Sequence, residues 1–173
     1  NIAEASIDFG TDIDFGSGFE GTDWGAESAS AAAGGFGSTS KSAGTLSGSF
    51  YDFKQDRNEK AVNYTIGSKD YSTAINKFHR SRLKESGLKD HFKAEKPLYV
   101  RYIAIPSSDA SGAPKFFGVE KKVKPCGWLI HYSGELMASK AGRYRLVGHG
   151  DDYLAAAINN KARLVAPWSN LTN

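Results

Sequence analysis

From Cys126 onward the chain reads as short alternating segments punctuated by turn residues, and that rhythm restricts it to an antiparallel, strand-built fold. Trp128, Ile130 and Tyr132 alternate with Leu129, His131 and Ser133, a period of two that sends successive side chains to opposite faces of a strand. Ser139-Lys140-Ala141-Gly142 predicts a turn, Arg143 to Val147 the next strand, and Tyr153 to Ile158 another. Asn159-Asn160 is a two-residue hairpin signal, because asparagine tolerates positive φ, and Lys161 to Val165 is the returning strand. Turns recurring at such short intervals point to an antiparallel sandwich or barrel.

Upstream of this run, Gly44 to Phe53 has the length and alternation of a first strand. Tyr71, Ile75, Phe78 and Leu83 recur at near-helical spacing, which predicts one helix from Asp70 to about Glu85, ended by Gly87. Leu98 to Ile105, bracketed by Pro97 and Pro106, reads as one strand; Ser107 to Pro114 reads as a loop, and Lys115 to Val119 as a short extended stretch. Residues 44–173 are therefore expected to form a mainly β module, an antiparallel β-sandwich or barrel with one peripheral helix.

Residues 1–43 differ in kind. The first 40 residues hold seven acids and no Lys or Arg, and since the whole chain carries +3, residues 41–173 carry +10. Gly, Ala and Ser dominate, so the segment is expected to be an irregular acidic arm or glycine-rich linker. It also carries spaced aromatics: Ile7-Asp8-Phe9-Gly10 recurs as Ile13-Asp14-Phe15-Gly16, followed by Phe19 and Trp24. Phe9, Phe15, Phe19 and Trp24 are candidate anchors with which the arm docks on a basic surface of its own domain or of a neighbouring subunit, making a homo- or hetero-oligomer.

The usual catalytic patterns are missing from the sequence. The four histidines lack the spacing of a helical zinc motif, no serine sits in a nucleophile-elbow setting, and Gly148-His149-Gly150 is not followed by the helix of a phosphate loop. Cys126 is the one cysteine, which excludes an internal disulfide. The basic run Lys77 to Lys84 invites a nucleic-acid reading, but on a helix Phe78 turns to the core and the cations become a solvated face. No apolar run approaches the roughly 20 residues needed to cross a bilayer. A chain beginning at Asn1 without a signal pattern reads as a trimmed product.

One stretch carries a likeness. Trp128-(x5)-Gly134-(x7)-Gly142-x-Tyr144-x-Leu146-(x4)-Asp151-Asp152 resembles the signature of the protective-antigen fourteen-kilodalton domain family, β-sandwich modules of bacterial toxins, glycosidases, proteases and fungal adhesins. Phe117-Gly118-Val119-Glu120-Lys121-x-Val123-x-Pro125 is similar to a bacterial envelope subgroup of it. The resemblance implies a non-catalytic, secreted or cell-envelope binding or adhesion module whose paired aspartates, joined by a cis peptide, hold Ca²⁺ against sugar hydroxyls. Asp151 and Asp152 are then the metal candidates, with His149, Asn159 and Asn160 as binding candidates and a glycan or protein surface as partner. The family continues with further strands, so the module is expected to lack its C-terminal strands. The alternative expectation is a structural subunit of an envelope assembly, joined through the acidic arm.

Overall fold

The structure, a computed structural model, describes residues 2–11, 35–65, 68–136, 141–150 and 152–167. In chain order it runs β1 (Ile2–Thr11), β2 (Leu46–Asp56), α1 (Ser68–Arg80), a 3-10 turn (Glu85–Leu88), β3 (His91–Lys93), β4 (Leu98–Val100) and β5 (Ile103–Asp109). Then follow α2 (Gly112–Phe116), β6 (Trp128–Ser133), β7 (Tyr144–Gly150), β8 (Tyr153–Ile158) and β9 (Lys161–Pro167). Every strand pairing is antiparallel, so the strand-dominated class expected from the sequence holds.

Strand β2 organises the first sheet. One of its edges pairs with β6 from Ser47↔Ser133 to Asp52↔Trp128. The other pairs with β4 at Leu46–Gly48 and with β3 from Tyr51 onward, β3 and β4 lying end to end along it. Alternation then splits its side chains between two cores. Leu46 and Phe50 face a cluster with Phe36, Leu98, Ile103, Ile105 and Phe117, where Phe50 packs 5.4 Å from the Phe117 ring and 5.8 Å from Trp128. Tyr51 and Phe53 face Ile75 and Phe78 of α1, Leu83, Leu88 and Leu129. Cross-strand neighbours obey the same rule: Ile130 and Tyr132 join the first cluster, Leu129 the second.

Helix α1 ends at Arg80, earlier than its apolar spacing suggests. Arg82 and Leu83 adopt φ of 61° and 57°, a left-handed reversal that still delivers Leu83 to the core. Gly87 is needed one turn later, because a Cβ there would lie 2.4 Å from Ser81 Oγ. The expected strand Leu98–Ile105 is two strands: the chain bends at Arg101-Tyr102, so β4 pairs with β2 while β5 pairs with β1. β5 runs on to Asp109, into the expected loop, and carries one additional residue relative to β1 between Ile105 and Ser108. Pro106, which has no N–H to donate, sits at that irregularity. Gly112–Phe116, which span the end of the expected loop and the start of the expected extended stretch, are helical instead; β3 is a strand that the sequence pattern does not announce.

The arm reading needs the largest correction. Ile2–Thr11 form the central strand of a second sheet in the order β5-β1-β7, with Ile7 opposite both Ile103 and Gly148. Further on, Phe36 is buried against Phe116 at 5.3 Å, and Ser38 exchanges backbone hydrogen bonds of 2.8 and 2.7 Å with Tyr99. Gly37 between them has φ 122°, and a Cβ there would stand 2.7 Å from the Tyr99 carbonyl oxygen. The packed body thus begins before residue 44, and residues 2–11 are strand rather than tether. The third ladder is the hairpin β8-β9.

If Phe36 belongs to this core, Phe36→Ala should lower the unfolding free energy in urea by about 3–5 kcal/mol. A loss below about 1 kcal/mol would place it outside the core.

Candidate functional site

The predicted site residues divide into separate places. β7 ends at Gly150 and β8 begins at Tyr153; Asp152 is exposed in the turn between them, and Asp151 lies outside the described residues. His149 lies in β7 with its backbone opposite Ser6. Asn159 and Asn160 stand at the far end of β8, roughly 20 Å away at the usual rise of a strand. Their φ values of 51° and 61° are those of a tight two-residue hairpin, which explains both asparagines without a ligand. Phe9 is opposite Leu146 in the β1–β7 ladder, while Phe15, Phe19 and Trp24 lie outside the described residues.

Near Asp152 the structure gathers polar groups that the sequence keeps far apart. Burial, followed by the carboxylates of Asp70, Asp52 and Asp152, pushes the Tyr64 phenol up to about 12. Asp70 is already engaged, since its Oδ2 accepts the Thr65 N–H at 2.8 Å. Asp52 is fully buried and more fully engaged. It accepts from Lys54 Nζ, from the Lys54 backbone N–H at 3.2 Å and from Gln55 Nε2 at 2.9 Å. Lys54 and Gln55 also donate to the carbonyls of Cys126 and Lys122, which pins that loop to β2. Cys126 and Gly127 there adopt φ of 68° and 64°.

Ca²⁺ takes six to eight oxygens; Asp52 and Asp70 accept from N–H donors, and no group of three ligating side chains converges among the described residues. Of the implied pair, only Asp152 is described.

A second polar cluster lies on the α1-facing side of the first sheet. Tyr51 donates its hydroxyl to Glu85 Oε1 at 2.5 Å, Lys93 Nζ donates to the same oxygen, and the Lys93 ammonium stands 5.8 Å from the Tyr51 ring centroid. Lys93, then Tyr51, hold the Glu85 carboxyl below its usual range, while burial and Glu85 raise the Tyr51 phenol far above its own. Tyr51 therefore stays protonated as a donor. His131 packs edge-on to Phe78 at 5.5 Å, and burial lowers its pKa. His79 hydrogen-bonds Tyr153 and joins α1 to the β8–β9 hairpin; burial lowers it too. Sequence periodicity cannot find these pairs, because cross-sheet neighbours such as Tyr51 and Glu85 share no local spacing.

Further polar groups lie at the surface. Arg143, Tyr144 and Arg145 at the start of β7, and Lys161 and Arg163 on β9, are all exposed, and β9 lies beside β7. The four cations make no ion pair among the described residues. Arg163 is a bulge residue: Ala162 and Leu164 oppose the adjacent Ala157 and Ala156, leaving it without a cross-strand partner. Compared with protein-family models, curated proteins and solved structures, the chain gives no match in any of the three.

The histidines set a pH dependence. Burial depresses His79, His91 and His131, so in the folded chain they stay neutral while the unfolded chain takes up protons below about 6.5. Their contribution is complete above that value and is lost as the pH falls through the folded pKa values. The melting temperature should drop between about pH 7.5 and 5.5, and His131→Gln should flatten that slope. A melting temperature constant over this range would contradict the assignment.

Proposed function

We propose that this chain is a non-catalytic binding module of the cell surface or envelope that holds an acidic glycan on the exposed basic strands β7 and β9. The observation that carries this reading is the exposed set Arg143, Arg145, Lys161 and Arg163, on neighbouring strands and without ion-pair partners among the described residues. Guanidinium groups meet carboxylates in paired, charge-assisted hydrogen bonds, and a bulge that turns Arg163 outward suits such a contact.

Two further points support the reading. The buried Asp52 carboxylate and Tyr51 phenol are engaged with structural partners: Asp52 with Lys54 and Gln55, and Tyr51 with Glu85, which also accepts from Lys93. The Trp128 to Asp152 pattern, similar to that of the protective-antigen-type modules, is what suggests an extracellular or envelope location and adhesion. Calcium is no part of the proposed contact.

A glycan array tests this directly. Binding should favour uronate- or sialate-containing chains over neutral ones, weaken as salt is raised beyond physiological strength, and persist in a chelator. The double substitution Arg145→Ala, Arg163→Ala should weaken it about tenfold or more, roughly 1.4 kcal/mol, at unchanged melting temperature. Preference for neutral glycans, binding that requires calcium, or capture of nucleic acid in place of glycan would overturn the proposal.

A further inference from the structure

We propose that β1 is an exchangeable strand, and that a second copy of this chain can supply it to the slot between β5 and β7. Three observations lead there. First, β1 is the middle strand of its sheet: β5 and β7 pair with it and not with each other. Withdrawing it leaves two facing strand edges roughly 10 Å apart, a gap that fits one strand and strands two rows of backbone N–H and C=O groups.

Second, β1 belongs to the sheet through backbone ladders on both sides, from Ile2↔Asp109 to Ile7↔Ile103 along β5 and from Ala5↔Gly150 to Thr11↔Tyr144 along β7. Those bonds are indifferent to which copy provides the strand. Third, the connection that follows β1 is long in sequence. The next described residues include Phe36, buried in the core, and Ser38, bonded to Tyr99. Residues 12–34 lie between and can span up to about 75 Å when fully extended, more than the width of a domain this size.

A strand laddered by its backbone to both sides of a slot, at the end of a long connection, can make the same ladders in its own body or in a neighbour's. The two arrangements differ chiefly in the entropy of the connection and in concentration, which is the condition for reciprocal strand exchange. A pair of chains trading β1 closes by two-fold symmetry, because each donates one strand and accepts one. The partner this slot fits is therefore an identical chain, and a high concentration of the chain favours the exchanged form by mass action.

Two singly substituted full-length chains test it, both carrying Cys126→Ser. One bears Gly10→Cys and the other Arg145→Cys, positions directly opposite in the β1–β7 ladder. Neither can close that bridge within itself, and exchange sets the two thiols directly opposite each other. After joint refolding at high concentration and oxidation with glutathione disulfide, a heterodimer linked by a disulfide between the two introduced thiols should form. It should increase with concentration and disappear when Ile7→Pro is added to the donor. A doubly substituted chain should close on itself when dilute. The proposal falls if that chain closes while the mixture stays monomeric at every concentration. It falls equally if the doubly substituted chain never closes, or if the heterodimer survives Ile7→Pro, since the link would then owe nothing to the ladder.

Discussion

The rest of the described structure depends on β2 being a strand with no free side. Both of its edges are hydrogen-bonded, to β6 on one and to β4 and β3 on the other, and both of its faces are covered. A strand in that position must be apolar in both directions, and Phe50, Tyr51 and Phe53 are all essentially buried. Because a one-residue slip would exchange the two faces, the same burial fixes the register of every strand that pairs with it. The two clusters are built outward from it: α1 and the β8–β9 hairpin pack on one side, β4, β5 and the segment through Val123 on the other.

Where β2 could not be apolar, it is tied down. Asp52 is the one charged side chain among the buried residues described, and its carboxylate is met by Lys54 and Gln55, which reach on to the carbonyls of Cys126 and Lys122. A buried carboxylate without such partners would be costly, so the network also dictates where the 122–127 loop must lie. That loop leads directly into β6, and the Phe53 N–H bonded to the Gly127 carbonyl at 2.9 Å extends the ladder one step further. The Tyr51–Glu85–Lys93 group does the same for the opposite face, giving a buried phenol a charged acceptor at the protein's rim. These polar groups stabilise the body.

Much of the second half was legible from local pattern. Trp128–Ser133, Tyr153–Ile158 and the Asn159-Asn160 turn can be read directly, since period-two alternation and the left-handed tolerance of asparagine act within a few residues. The helix was legible through Ile75 and Phe78, but its end was not, because Leu83 continues the apolar spacing while reaching the core through a left-handed turn. The candidate site was less legible. Asp151 and Asp152 drew attention as a motif, whereas the exposed Arg145 and Arg163 acquire meaning only when β9 is laid beside β7 and the bulge at Arg163 is seen.

By itself, then, the amino-acid sequence determined the antiparallel β character, the one long helix and the hairpin turns, all consequences of side-chain periodicity and backbone preference over short spans. Only the tertiary structure decided that Ile2–Thr11 is a central strand, that Leu98–Ile105 bends to serve two sheets, and that Asp52 is buried. The physical reason is common to all three. Residues 2–11 alternate Ala3, Ala5, Ile7 and Phe9 with Glu4, Ser6 and Asp8, but which edges such a strand fills is not a local property. Its partners, Ile103–Asp109 and Tyr144–Gly150, lie far away in the chain, and pairing with them is decided only when the whole chain is folded.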